Sequence, residues 1–280
     1  SVKEPLLTEN RPTATILPGT QKAILVTGEG KTVNLNPETA DVEIGEGVKA
    51  KNSNHGLIYS DTLTAGIEDT ENQLIVPRGG EYAIVLSDGT RVWLNSASEL
   101  KYPVHFAGDM RRVYLKGEAY FDVTKKKKTP FIVRTDKYDI EVLGTQFDVD
   151  AYPDQTAFET TLMKGSVKVT SQHFPEQTIT LKPHHKAYVK DGQLAVTKVN
   201  DFTPYRWKEG LICFKDEPFQ TIMEDFEKYY GIRIIINNKK VLKYSYNGKF
   251  RQADGIDYAL RVLQRDIHFK YERANDEEII

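Results

Sequence analysis

The feature that most restricts the fold is how the apolar residues are parcelled. Across residues 21–199 they come in short runs rich in β-branched and aromatic side chains, each cut off by Gly, Asp, Asn or Pro. Such runs include 23–26, 82–86, 91–94, 113–115, 119–123, 131–133, 140–143 and 167–169. Many short strands at close spacing predict an all-β body. Asp88-Gly89 and Asp191-Gly192 supply residues that tolerate the positive φ of tight hairpin turns. A weak internal echo joins residues 23–36 (AILVTGEGKTVNLN) to residues 83–95 (AIVLSDGTRVWLN), two strand-turn-strand units ending in Leu-Asn. Stacked hairpins burying one continuous apolar stripe along an elongated, solenoid-like body account for that pattern.

Near Asp201 the pattern breaks at Phe202-Thr203-Pro204, and helical periodicity appears for the first time beyond Leu211. Phe219, Ile222, Met223, Phe226 and Tyr230 fall on one helix face, with Asp216 as the expected N-cap, Pro218 in the first turn and Gly231 as the stop. A second helix after Asp254 places Ile256, Ala259, Leu260 and Leu263 together. Strands are expected at 211–214, 232–236, 244–250 and 267–271. The order β-α-β-β-α-β predicts a small sheet with both helices on one face. The chain thus divides into an N-terminal arm (1–20, punctuated by Pro5, Pro12 and Pro18), an all-β unit (21–200), a linker (201–210) and a C-terminal α/β unit (211–280).

A chain of 280 residues has length for about two domains, and 38 basic against 40 acidic residues leave a formal charge of -2, no field for gathering nucleic-acid phosphates. The single Cys213 cannot form an intrachain disulfide or a cysteine-based zinc site. No apolar run approaches the length of a membrane span. The start, Ser1-Val2-Lys3-Glu4-Pro5, lacks both an initiator Met and a signal-peptide pattern, as in a processed or truncated product.

Enzyme signatures are absent: no G-x-G-x-x-G opening a helix, no phosphate-binding loop, no G-x-S-x-G and no H-E-x-x-H. Gly28-Glu29-Gly30 and Gly45-Glu46-Gly47 read as turns, and His184-His185 as a turn after Pro183, since adjacent strand residues point to opposite faces. Glu118 and Asp122 share a strand face, a spacing that arises often by chance. Lys125 to Lys128 read as a solvated turn that discourages edge pairing. Trp93 and Trp207 read as core, with a sugar-stacking platform as the competing use. No catalytic, cofactor or metal residue is expected.

From Val76-Pro77-Arg78-Gly79-Gly80-Glu81-Tyr82 onward the chain resembles a known family. The likeness continues through Leu86-Ser87-Asp88-Gly89-Thr90-Arg91-Val92-Trp93-Leu94-Asn95, Ser98-Glu99-Leu100-Lys101-Tyr102-Pro103, Leu115-Lys116-Gly117-Glu118-Ala119-Tyr120-Phe121-Asp122-Val123, Pro130-Phe131-Ile132-Val133 and Val142-Leu143-Gly144-Thr145-Gln146-Phe147-Asp148-Val149. These motifs resemble the FecR family of periplasmic anti-sigma regulators in its Bacteroidota form. The C-terminal unit is similar to the short N-terminal signalling domains of secretins and TonB-dependent transporters. The resemblance implies a single-pass inner-membrane protein with a cytoplasmic segment that holds an extracytoplasmic-function sigma factor. Its periplasmic part would receive a signal from a TonB-dependent outer-membrane transporter, and this chain would be that part, the anchor and the sigma-binding segment lying N-terminal to it. No catalytic residue carries over.

Docking is expected by addition of a partner strand to a sheet edge, at 211–214 or 244–250, with Leu211, Ile212, Phe214, Tyr244, Tyr246 and Phe250 as candidate partner-binding residues. The alternative is an envelope carbohydrate-binding module with an open aromatic row. A hydrolase would need convergent acids in a pocket.

Overall fold

The structure, a computed structural model, describes residues 20–45, 47–60, 64–65, 70–153, 158–275 and 277–280. The arm expected over residues 1–20 therefore lies, Thr20 apart, outside the described residues. Residues 21–199 form hairpins that alternate between two layers. In the first layer the strands run, edge to edge, Thr32–Leu35, Ala23–Val26, Glu71–Ile75, Glu99–Pro103, the first half of Arg111–Asp122, Phe131–Arg134, Tyr138–Val142, Val167–Ser171 and Thr178–Leu181. The second layer runs Val48–Ser53, Gly56–Ile58, Gly80–Val85, Arg91–Leu94, the second half of Arg111–Asp122, Gln146–Ala151, Glu159–Lys164, His185–Lys190 and Gln193–Lys198. The protein is mainly β, as the short-run pattern predicts.

Alternation along each strand buries one side chain in two. Leu25, Leu74, Leu100, Val113, Phe131 and Ile140 from the first layer meet Leu57, Ile84, Val92, Phe121, Phe147 and Leu162 from the second in a single core. Phe121 stacks on Phe147 with ring centroids 5.1 Å apart and touches Phe131 across the layers at 6.1 Å. Each layer repeats the step beside its predecessor, so the stripe is continuous. The long strand Arg111–Asp122 stitches the layers together: residues 114–116 pair with 99–101 in the first, and residues 119–122 with 91–94 in the second. Gly117, at φ +94°, is the corner between the halves.

The two echoing segments are both hairpins, Ala23–Val26 with Thr32–Leu35 and Gly80–Val85 with Arg91–Leu94. In the Asp191-Gly192 turn both residues take positive φ, 51° and 77°. In the Asp88-Gly89 turn only Gly89 does. Asp88 instead turns its carboxylate inward, where it accepts hydrogen bonds from the Thr90 N–H and Oγ1 at 2.9 and 2.8 Å and pairs with Arg111.

Beyond residue 200 a 3-10 helix, Thr203–Glu209, buries Trp207 and leads into the strand Leu211–Pro218. The first helix, Phe219–Tyr230, buries all five residues of the expected face and stops at Gly231 with φ 68°. The second, Ile256–Leu263, buries Ile256, Ala259, Leu260 and Leu263. These side chains form a core of their own. Three local details differ from the sequence expectation. Pro218 rather than Asp216 occupies the N-cap, because Asp216 lies in an irregular stretch of the ladder at φ 50°, its N–H bonded to Asn247 Oδ1. Only Arg233–Ile234 of the 232–236 run is strand. Residues 267–271 are not strand; Ile267 is buried and Phe269 and Tyr271 pack on the core, while the pairing moves to Arg273–Asn275 and Glu278–Ile279. The unit accordingly holds a two-stranded ribbon and a separate three-stranded sheet.

Candidate docking site

The ribbon gathers five of the six candidate partner-binding residues, and Tyr244 stands one residue before its second strand. Leu211–Pro218 runs antiparallel to Ser245–Arg251, with Leu211 opposite Arg251, Ile212 opposite Phe250 and Phe214 opposite Gly248. Their roles divide by face. Ile212, Phe214 and Phe250 are buried, so their side chains belong to the core and only their backbone is open to a partner. Tyr246 is half-buried and stacks on Phe250, and Gly248 leaves room for its ring, since a Cβ there would sit 2.2 Å from Tyr246 Cε1. Tyr244 is 39% exposed at the mouth of the ribbon, where its carbonyl accepts the Phe219 N–H at 2.9 Å. Leu211 is half-buried. Ser245, Asn247, Lys249 and Arg251 are exposed, and among the described residues this strand pairs only with Leu211–Pro218, so one edge stands open.

Sequence reasoning missed a groove within the C-terminal unit. A cavity of about 300 Å³ is walled by Phe219, Met223, Ile234, Ile236, Phe269 and Tyr271. It exists because residues 267–271 leave the sheet and stand as a wall.

It also missed how the two units meet. The last turn of a helix leaves carbonyls without intrahelical partners, and here the β body supplies donors: Lys228 O accepts the Gly79 N–H at 2.7 Å and the Ser96 hydroxyl. Gly79 and Gly231, both at positive φ, let the backbones touch; a Cβ on Gly231 would lie 3.1 Å from Arg78 O. Arg78 and Glu227 pair at 3.9 Å. Trp207 donates its indole N–H to Asp148 Oδ2 at 3.3 Å, and Lys208 Nζ lies over Tyr120 (4.7 Å) and Trp93 (5.5 Å). The two tryptophans therefore brace the joint and form no row on an open face, which disfavours the sugar platform.

Between the units lies a cavity of about 500 Å³. Glu118, singled out by its spacing to Asp122, lies there with Asp148 and Asp150. Glu118 and Asp150 are direct cross-strand partners, and Glu159 faces Asp150 from its other side, so three carboxyls form a row across adjacent strands. Like charges directly opposite repel. Burial first, and then the neighbouring carboxylates, push Glu118 and Asp148 well above the ordinary carboxylate range. Asp150 is raised to about 6, chiefly by burial, with Lys228 opposing and Asp225 and Glu159 adding to the rise.

The sign for stability follows. The folded state holds protons that the unfolded state releases, so the contribution is full below the ordinary aspartate value, 3.8, and is lost as pH rises through about 6. Denaturant unfolding of Asp150→Asn should show a shallower fall in stability across that window than the parent. At about pH 8, where the ionised carboxylate is most costly to bury, the variant should be the more stable of the two. An identical pH profile for both proteins would contradict this account of the junction.

Among the described residues no three His, Cys, Asp or Glu groups converge to hold a metal ion, and no helix is long and apolar enough to cross a membrane. Comparison with known proteins agrees with the architecture. The chain is similar to two crystal structures of a candidate anti-sigma factor from Parabacteroides distasonis, at 27% identity in each case. One covers 74% of this chain and 96% of its own with a TM-score of 0.66, the other 75% and 97% with 0.67. No functionally curated protein matches. The model described as FecR protein matches residues 72–168, and the one described as FecR, C-terminal, matches residues 211–280. With the two models matched in order along the chain, it belongs to the FecR family.

Proposed function

We propose that this chain is the periplasmic, signal-receiving portion of an anti-sigma factor. Its C-terminal unit docks the signalling domain of a TonB-dependent outer-membrane transporter. A segment N-terminal to this chain crosses the inner membrane and holds an extracytoplasmic-function sigma factor. The protein works by fitting a partner against its folded surface and makes and breaks no covalent bond. The likeness to a candidate anti-sigma factor over about three quarters of the chain supports the regulatory role. One observation carries the docking mode: among the described residues the strand Ser245–Arg251 has a single ladder partner, and it bears an outward row of polar side chains. An added strand would gain main-chain hydrogen bonds along that edge and choose its register through alternate side chains. Signal transfer requires the partner to bind two states of the receiver differently.

Titration of the purified chain with the signalling domains of the TonB-dependent transporters of the same organism tests the reading. Saturable binding is expected, and Asn247→Pro, which removes a main-chain donor from the edge strand, should weaken it by about tenfold or more. The absence of binding at high micromolar concentration would reject the docking proposal.

A further inference from the structure

We propose that the cavity between the two units binds an organic cation carrying an ammonium or guanidinium group. The first ground is an excess of acidic groups over basic ones. Seven acidic residues line the cavity against four lysines, and the lysines at its centre are engaged: Lys186 Nζ pairs with Glu159 at 2.8 Å, and Lys228 Nζ with Asp225 at 2.9 Å. Lys228 also lies over the Tyr152 ring at 4.5 Å, while Lys198 and Lys215 are exposed. Glu118, Asp148 and Asp150 take part in no ion pair among the described residues. Glu118 accepts only the neutral Asn95 amide at 2.7 Å, and Asp148 the Trp207 indole.

The second ground is independent of the charge count. Asp150 Oδ1 is shut off from solvent and has no hydrogen-bond partner. A buried carboxylate oxygen without a donor costs free energy, and a native structure normally supplies one. The neighbours of Asp150 on both sides of the row are the carboxyls Glu118 and Glu159, and an N–H group that also carries positive charge fits that gap.

Ligand chemistry follows from geometry. A bare metal ion needs several donors converging on one point at short range, and the described residues offer no such group. An ammonium or guanidinium reaches carboxylates through N–H bonds of about 2.7–2.9 Å and can span a row of them. Tyr205 and Tyr229 stand in the same wall and suit a cation–π contact. A cavity of about 500 Å³ falls within the usual range for small-molecule sites, which often lie between domains. A free amine and a lysine or arginine side chain on a polypeptide share this chemistry.

Calorimetric titration of the intact chain at low ionic strength separates the two sources, with putrescine as the free amine and acetyl-Gly-Arg-Gly-amide as the chain-borne cation. At about pH 7.5 at least one should bind saturably at one site, with net proton release, and 1,4-butanediol should not bind. The arm that binds names the source. Affinity should fall by about tenfold at pH 5, as Asp150 passes below about 6 and takes up a proton. Asp150→Asn should abolish binding, and Glu118→Gln, which leaves Asp150 in place, should weaken it. Failure of both compounds to bind, or unchanged affinity in Asp150→Asn, would overturn the proposal. Neither result bears on the transporter-domain titration, which probes the opposite strand of the ribbon.

Discussion

Arg111→Met lowers the stability of the folded chain by about 3–5 kcal/mol, the cost of leaving a buried carboxylate without its partner. Arg111 is 1% exposed at the start of the long strand that links the layers. Its Nη1 lies 2.6 Å from Asp88 Oδ2 and also donates to Thr124 O, while Nε and Nη2 reach Thr129 O. The guanidinium further packs on the Phe131 ring at 5.4 Å. One side chain thereby ties the Asp88 hairpin turn to the Lys125–Lys128 loop. Methionine keeps the apolar stem and the volume but strips the donors, so Asp88 retains only Thr90 and two carbonyls lose their bonds. Urea unfolding reads the loss directly, and the double variant with Asp88→Asn should recover part of it, since it removes the orphaned charge. A loss below about 1 kcal/mol would place this pair among those that contribute little.

Gly117→Val should cost a comparable amount. At φ +94° the backbone lies where a side chain is strained by about 1–2 kcal/mol. A Cβ would also sit 2.4 Å from Ser98 Oγ and 2.8 Å from Ser98 Cα, and the backbone cannot yield cheaply because Ser98 Oγ accepts the Glu118 N–H at 2.9 Å. Overpacking of this kind adds about 1–3 kcal/mol. The variant therefore loses roughly 2–5 kcal/mol in the same assay. It should also loosen the junction, because Glu118 follows the corner directly. Near-wild-type stability would mean that the strand turns between layers without needing glycine.

These two residues show what was legible in the chain and what was not. Short apolar runs and Asp-Gly turns predict a mainly β body because strand alternation and turn chemistry are local. The two helices were equally plain, since Phe219 to Tyr230 and Ile256 to Leu263 carry their burial faces in their spacing. The Asp88–Arg111 pair was not, since nothing local in Asp88-Gly89-Thr90 says that its carboxylate meets a residue 23 positions away. Residues 267–271 alternate as a strand would, yet Phe269 packs on Phe219, and tertiary contact overrides the pattern. At the candidate site, the spacing brought out Leu211 to Phe214 and Tyr244 to Phe250 as strands, and the observed strands Leu211–Pro218 and Ser245–Arg251 do pair, with Tyr244 left just outside. It could not tell that Ile212, Phe214 and Phe250 face the core, nor that Gly79, Ser96 and Lys228 join the two units. Such contacts depend on which surfaces meet, and a single sequence does not encode that as a period.

The central claim is that a partner strand is received on the outer edge of Ser245–Arg251. Amide hydrogen exchange of this chain, alone and saturated with the transporter's signalling domain, tests it most directly. The account predicts new protection concentrated on residues 245–251, with the amides of the β body beyond the junction unchanged. Binding without protection there, or protection confined to the β body, would contradict it.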